Sequence, residues 1–198
     1  MHTRSHSSPT ARTLARLALA ALGALACLWL PSAAEQAAAG PYELKAAALY
    51  KVALYAKWPE SAFGGREEPL RVAVFGADPF GTELEHALKG KKLGSHPFAA
   101  LHFATLDELG ECQILFVPEK EEPSLAKILE RGKGRPVLLI GETAAAAEAG
   151  AGIALFFEKS KLQVAVNQHA VRASGLELSS ELLKLARLVG VRKEGGAK

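Results

Sequence analysis

Cysteine is scarce in this 198-residue chain, which has two, Cys27 and Cys112. With no Cys-x-x-Cys pair among them, a disulfide scaffold and a thiol-based metal site are both excluded. Equally missing are Gly-x-Ser-x-Gly, His-Glu-x-x-His and a P-loop, the common signatures of serine hydrolases, zinc proteases and nucleotide-binding enzymes. No apolar run reaches the roughly 20 residues that a membrane-spanning helix needs. The longest extends from Leu17 to Leu30. It follows Arg4, Arg12 and Arg16 with no acidic residue between them, and it is closed by Pro31 and small residues. That three-part pattern is a secretory leader, expected over residues 1–34. Cleavage after Ala34 or after Ala39 fits the small residues there. A lipoprotein anchored at Cys27 is the alternative, opposed by Ala24 at the place where a lipobox favours leucine.

The excess of positive charge belongs to the leader. Of 24 basic residues against 21 acidic ones, three lie before residue 35, so the remainder is neutral. A neutral domain without a Lys/Arg stripe is a poor nucleic-acid binder, because such binding rests on clustered positive charge. Lys89, Lys91 and Lys92 form the densest group, and a solvated turn accounts for them. A hydrophobic content of 49% suffices for one core in the roughly 160 residues beyond the leader. Cys112 sits in the apolar run Cys112–Val117 and reads as a buried thiol, with intermolecular pairing as the alternative.

Along the chain, Pro41, Glu43 and the apolar positions Leu44, Ala48, Val52 and Ala56 predict a helix over 42–57 that Pro59 ends. Strands are expected at 70–75, 96–103, 112–117 and 136–140, with helices at 80–88, after Pro123-Ser124, and over the Ala-rich stretch following Thr143. Two runs, 153–157 and 162–166, joined by Glu158-Lys159-Ser160-Lys161, read as a hairpin. A last helix starts near Ser179-Ser180 and carries Leu178, Leu182, Leu185 and Val189 on one stripe with Gly190 past its end. Residues 191–198 read as a disordered tail. The expectation is one three-layer α/β domain over 41–190, with a mixed, mostly parallel sheet, helices on both faces, and a C-terminal hairpin plus helix.

Open α/β sheets hold ligands at the carboxyl ends of their strands. That rim gathers Asp78, Phe80, Glu119 to Glu122, and Glu142. A pocket for a small polar ligand and a set of solvated turn residues both fit it. Ser124 and Lys127 match Ser-x-x-Lys, but the companion motifs of penicillin-binding enzymes are missing and helix-start chemistry explains both residues. His96 and His102 share a face of one strand about 20 Å apart, too far for one ion, so no metal is expected. The aromatics Tyr50, Tyr55, Trp58 and Phe63 are dense, and suit either core packing or a partner surface. No cofactor is called for, and a non-enzymatic binding protein is the expectation.

Four blocks in order carry a resemblance. They are Tyr42-Glu43-Leu44-Lys45-Ala46-Ala47 leading to Tyr55-Ala56-Lys57-Trp58-Pro59, then Val74-Phe75-Gly76-Ala77-Asp78-Pro79-Phe80-Gly81, then Cys112-Gln113-Ile114-Leu115-Phe116-Val117, and Leu178-Ser179-Ser180-Glu181-Leu182-Leu183-Lys184-Leu185-Ala186. Together they resemble the YfiR family of periplasmic proteins. The resemblance implies a soluble periplasmic regulator that binds and represses the sensor part of a membrane diguanylate cyclase, acting on cyclic-di-GMP and biofilm signalling. A homodimer is compatible with it. An accessory role beside a histidine kinase or an outer-membrane receptor, or a small-ligand binding module, is the alternative. Tyr55, Trp58 and Lys184 are the candidate partner contacts, and Asn167 and Ser180 also fit the family pattern. Cys112 matches a family cysteine, but the strand where its disulfide partner is expected reads Val72-Ala73-Val74, which leaves redox control without a second thiol.

Overall fold

The computed structural model describes residues 39–190; the expected leader over 1–34, Cys27 and the tail over 191–198 lie outside the described residues. Helix α1 (Pro41–Tyr55) begins with Pro at its first position, and the Glu43 carboxylate accepts the Gly40 backbone N–H at 3.2 Å, so an otherwise orphaned donor is satisfied. It stops two residues earlier than the sequence predicts. Ala56 and Lys57 are extended and form β1 (Ala56–Lys57), paired antiparallel with β9 (Glu177–Leu178). The Trp58 indole N–H donates to the Ala53 carbonyl at 3.1 Å and covers the frayed last turn.

The main sheet has eight strands. Its parallel heart is β4 (His96–Phe103), β2 (Leu70–Phe75), β5 (Ile114–Val117), β6 (Leu138–Gly141) and β7 (Ile153–Glu158), in that spatial order. Antiparallel β3 (Lys92–Leu93) flanks β4, and β8 (Lys161–Asn167) completes the predicted hairpin with β7. Both residues of its two-residue turn, Lys159 and Ser160, have positive φ (50° and 61°), the backbone twist that suits tight hairpins.

Side-chain alternation along the strands sorts the core into two layers. Val72, Val74, Ile114, Phe116, Leu138 and Ile140 point to one face, against α1, α2 (Glu83–Leu88), Val171 of α5 (Gln168–Ala173) and Leu182 of α6 (Ser180–Leu185). Ala73, Phe75, Leu115, Val117 and Leu139 point to the other, against α3 (Leu125–Gly132) and α4 (Ala144–Glu148). The α/β class, the mostly parallel sheet and the helices on both faces are as the sequence predicts.

Two local expectations are corrected, and one helix is new. Helix α2 starts at Glu83 rather than Phe80, because the Asp78 carboxylate accepts the Phe80 N–H at 2.8 Å and holds the chain in a turn. No expectation covered α5, whose first turn is capped by the Asn167 side chain accepting from the Ala170 N–H. The C-terminal stripe does not form one helix. After Leu185 the chain extends at Ala186, and β10 (Arg187–Val189) pairs parallel with β8 over Ala165–Asn167. Pairing satisfies the backbone edge of β8, a gain that a surface helical turn over the same residues does not offer.

Candidate functional site

The order in which strands are added to the sheet reverses between the parallel neighbours β2 and β5. From β2 the chain proceeds to β4 on one side, and from β5 to β6 and β7 on the other. In such a sheet the carboxyl ends of the two strands frame the natural crevice, here between Gly76–Phe80 and Pro118–Glu122. Gly76 has φ +72°, a left-handed conformation that favours glycine, and a Cβ there would lie 2.3 Å from the Glu121 side chain and displace it. Gly141, at the end of β6, has the same need of space, since a Cβ there would fall 2.2 Å from the Cβ of Ala146 in α4.

At this edge Glu142, Glu122, Tyr42 and Phe80 meet one another. Glu142 is buried, and its Oε1 accepts from the Tyr42 hydroxyl at 2.8 Å and from the Lys45 ammonium. Its Oε2 accepts from the Glu119 backbone N–H at 2.8 Å. Glu122 takes the Glu142 and Thr143 N–H groups on Oε1 at 2.9 and 2.8 Å, and the Thr143 hydroxyl on Oε2 at 2.5 Å. Phe80 is buried, with its ring edge-on to Tyr42 at 5.4 Å and to Phe116 at 5.0 Å. Asp78 is exposed and engaged in the turn to Phe80. Of the three rim candidates read from the sequence, the structure therefore buries Phe80 and Glu142 together and leaves Asp78 outside.

The electrostatics follow from this geometry. Burial by itself would raise the Glu142 carboxyl, but the Lys45 ammonium, the Glu119 amide and the Tyr42 hydroxyl outweigh it and hold it below the usual carboxylate range. Tyr42 is pushed up to about 12, by burial first and then by its bond to Glu142 and the negative charges of Glu142 and Glu119. An ionised, fully partnered carboxylate beside a protonated phenol joins the start of α1, the end of β6 and the loop after β5. It is a clamp between three chain segments and lacks an activated nucleophile.

Neither the Ser124–Lys127 spacing nor the histidines form a centre. No hydrogen bond joins Ser124 to Lys127 among the described residues. His96 Nδ1 lies 2.7 Å from the Glu68 carbonyl oxygen while its ring stacks on Phe63 with centroids 3.8 Å apart, and His102 Nε2 meets the Gly76 carbonyl. Among the described residues no group of three potential ligands could hold a metal ion.

At the opposite, amino-terminal edge of the sheet lie the candidate partner contacts. Tyr55 and Trp58 are half-buried and packed on the core from the end of α1. The β1–β9 ladder and the bond from Ser179 N–H to the Tyr55 carbonyl (2.8 Å) bring the end of the first helix and the start of α6 to one place. Lys184 stands exposed further along α6. A groove of about 660 Å³ runs past Trp58, Phe63 and His96, with Arg66 and Glu60 on its rim. Cys112 is buried and the free cysteine of the described residues. Burial lifts its thiol to about 12, against the smaller opposing pull of Arg135 and Arg71.

Sequence reasoning passed over Lys45. Its place four residues before Leu49 and seven before Val52 puts a charge on the buried stripe of α1, and a lone lysine on an apolar stripe is the signal of a buried ion pair. Gln113, which accepts from the Arg71 N–H and donates to the Ala62 carbonyl, was hidden in an apolar strand in the same way.

No curated protein matches the chain. A family model described as YfiR/HmsC-like matches residues 42–187, from the tyrosine of the buried clamp to the first residue of the edge strand, and the chain belongs to that family.

Proposed function

We propose that this chain is a non-enzymatic periplasmic regulator, exported by its leader, that binds the periplasmic sensor part of a membrane diguanylate cyclase and holds it inactive. The family match over 42–187 carries the reading. The geometry supports it from two sides. At the sheet edge where an enzyme of this architecture would place its chemistry, the Glu142 and Glu122 carboxylates are engaged with backbone amides, Lys45, Tyr42 and Thr143. At the other edge, the β1–β9 ladder and the Ser179–Tyr55 bond join the end of α1, with the half-buried Tyr55 and Trp58, to the start of α6, which carries the exposed Lys184. Interfaces draw most of their energy from a few aromatic and cationic anchors surrounded by polar rims. No helix among the described residues is long and apolar enough to cross a membrane, which is consistent with a regulator that meets its partner from the periplasm.

The test is deletion of the gene combined with affinity capture from membrane extracts by the purified domain. Cyclic-di-GMP and surface attachment rise in the deletion strain, the exported chain restores repression, and a copy lacking residues 1–34 does not. A diguanylate cyclase is recovered on the domain. Unchanged cyclic-di-GMP together with capture of a histidine kinase or an outer-membrane receptor would replace this reading by the accessory one.

A further inference from the structure

A cleft of about 180 Å³ opens at the amino-terminal edge of the sheet, on the face away from α1. It is lined by Leu115 of β5, Leu139 of β6, Ile128 and Leu129 of α3, and Ala170 and Ala173 of α5. The sequence makes this space by placing small residues on α5 where its neighbours across the cleft are large. An apolar hollow of about 150 Å³ stays dry and accepts a benzene-sized guest, so this one has room for a single ring or a short chain.

Charge at the mouth restricts the guest further. Lys133 and Arg135 are the charged side chains that line the cleft. Among the described residues neither meets a carboxylate. Arg135 donates to the Gly110 carbonyl at 3.1 Å, which fixes its guanidinium at the opening. A planar fork and an ammonium match an anionic head; the fork pairs with carboxylate or phosphate in two parallel bonds, and carboxylate is the smaller head for so small a cleft.

We propose that this cleft binds a small amphipathic carboxylate, with its head between Lys133 and Arg135 and an apolar tail of one ring or a short chain on Leu115, Leu129 and Leu139. The site stands apart from the clamp around Glu142, and its occupancy does not depend on which membrane protein the chain regulates. It gives the domain a means of sensing a periplasmic metabolite through residues that the regulatory surface does not use.

Calorimetric titration of the purified protein with sodium octanoate, 1-octanol and sodium acetate tests it. Octanoate saturates one site per chain with a Kd below about 1 mM, octanol binds at least about tenfold more weakly, and acetate gives no heat. Methyl resonances of Leu129 and Leu139 shift with the same isotherm. Ala173→Phe, placed on an exposed position of α5, blocks the mouth and abolishes octanoate binding. The pair Lys133→Gln and Arg135→Gln, which touches no core contact, weakens octanoate about tenfold or more and leaves octanol unchanged. The proposal is overturned by absence of octanoate binding at about 10 mM, by octanol binding as tightly as octanoate, or by titration curves that the double glutamine variant does not alter.

Discussion

Lys45 and Glu142 meet below the surface, their side chains 6% and 8% exposed, and the energetics of such a pair are asymmetric. Removing one partner strands a buried charge and costs about 3–5 kcal/mol, whereas replacing both by neutral groups of similar volume costs far less. Lys45→Met is therefore expected to lower the urea midpoint sharply, and Lys45→Met with Glu142→Gln to recover most of the loss, since the glutamine carbonyl accepts from the Glu119 N–H while its amide donates to the Tyr42 hydroxyl oxygen. A double variant as unstable as the single one would show that the pair is not what holds α1 to β6. Because the folded pKa of Glu142 lies below its ordinary value of 4.5, its contribution is present above that pH and is lost as pH falls through the lowered folded value. On the alkaline side the sign reverses. Tyr42 and Cys112, raised from 10.0 and 9.0 to about 12, favour the folded state fully below about pH 9 and lose that effect as pH rises toward 12. Cys112→Ser should cost about 1–2 kcal/mol at neutral pH for a polar group in an apolar setting, flatten the alkaline fall, and leave stability indifferent to reductant. A reductant-dependent midpoint in the parent that disappears in the serine variant would reveal a thiol partner. At this scale the site was partly legible. Asp78, Phe80 and Glu142 could be placed on one rim because they follow strands. That Glu142 turns inward depends on Lys45, a contact across 97 residues that no local pattern encodes.

Elements with strong periodicity could be read directly, and those that exist because of a neighbour could not. The runs 70–75 and 153–157 alternate or are wholly apolar over a length that fits only a strand, and Lys159-Ser160 makes a tight turn between two such runs. β1, β9 and β10 are two or three residues long, too short to carry a pattern, and owe their shape to the strand beside them. Leu185 shows the cost of reading periodicity alone: its spacing from Leu182 suits a buried stripe, yet it is 79% exposed because the helix ends there. The edge strand gives this scale its prediction. Ending the chain after Ala186 uncovers the backbone of Ala165–Asn167 in β8 and removes Val189, which packs with the small residues Ala147, Ala154 and Ala165. An unprotected, apolar edge templates pairing with another chain. The truncated protein is expected to self-associate with rising concentration in light scattering while keeping its far-ultraviolet spectrum. If it stays monomeric at about 100 μM, where transient edge pairing is normally detectable, β10 does not serve as an edge cover.

The direction of α1 across the sheet gives the two ends of the molecule different side chains. Its first turn delivers Tyr42 and Lys45 to the carboxyl edge, and its last delivers Tyr55 and Trp58 to the amino edge, where the β1–β9 ladder adds α6. If the amino edge is the docking end, a charge change there acts on partner binding and a charge change at the other edge does not. Lys184→Glu reverses an exposed charge whose loss disturbs no hydrogen bond among the described residues, so stability should move by no more than about 0.5 kcal/mol. Asp78→Asn removes a charge at the opposite edge while keeping the oxygen that accepts from Phe80. Partner capture is expected to fall about tenfold or more for Lys184→Glu, with repression lost in cells, and to stay within about twofold of the parent for Asp78→Asn. Both variants are exposed substitutions with the fold intact, so neither result can be blamed on unfolding. The reverse outcome, capture lost with Asp78→Asn and retained with Lys184→Glu, would move the docking end to the carboxyl edge and make the Tyr42–Lys45–Glu142 clamp the nearest structural support of the interface.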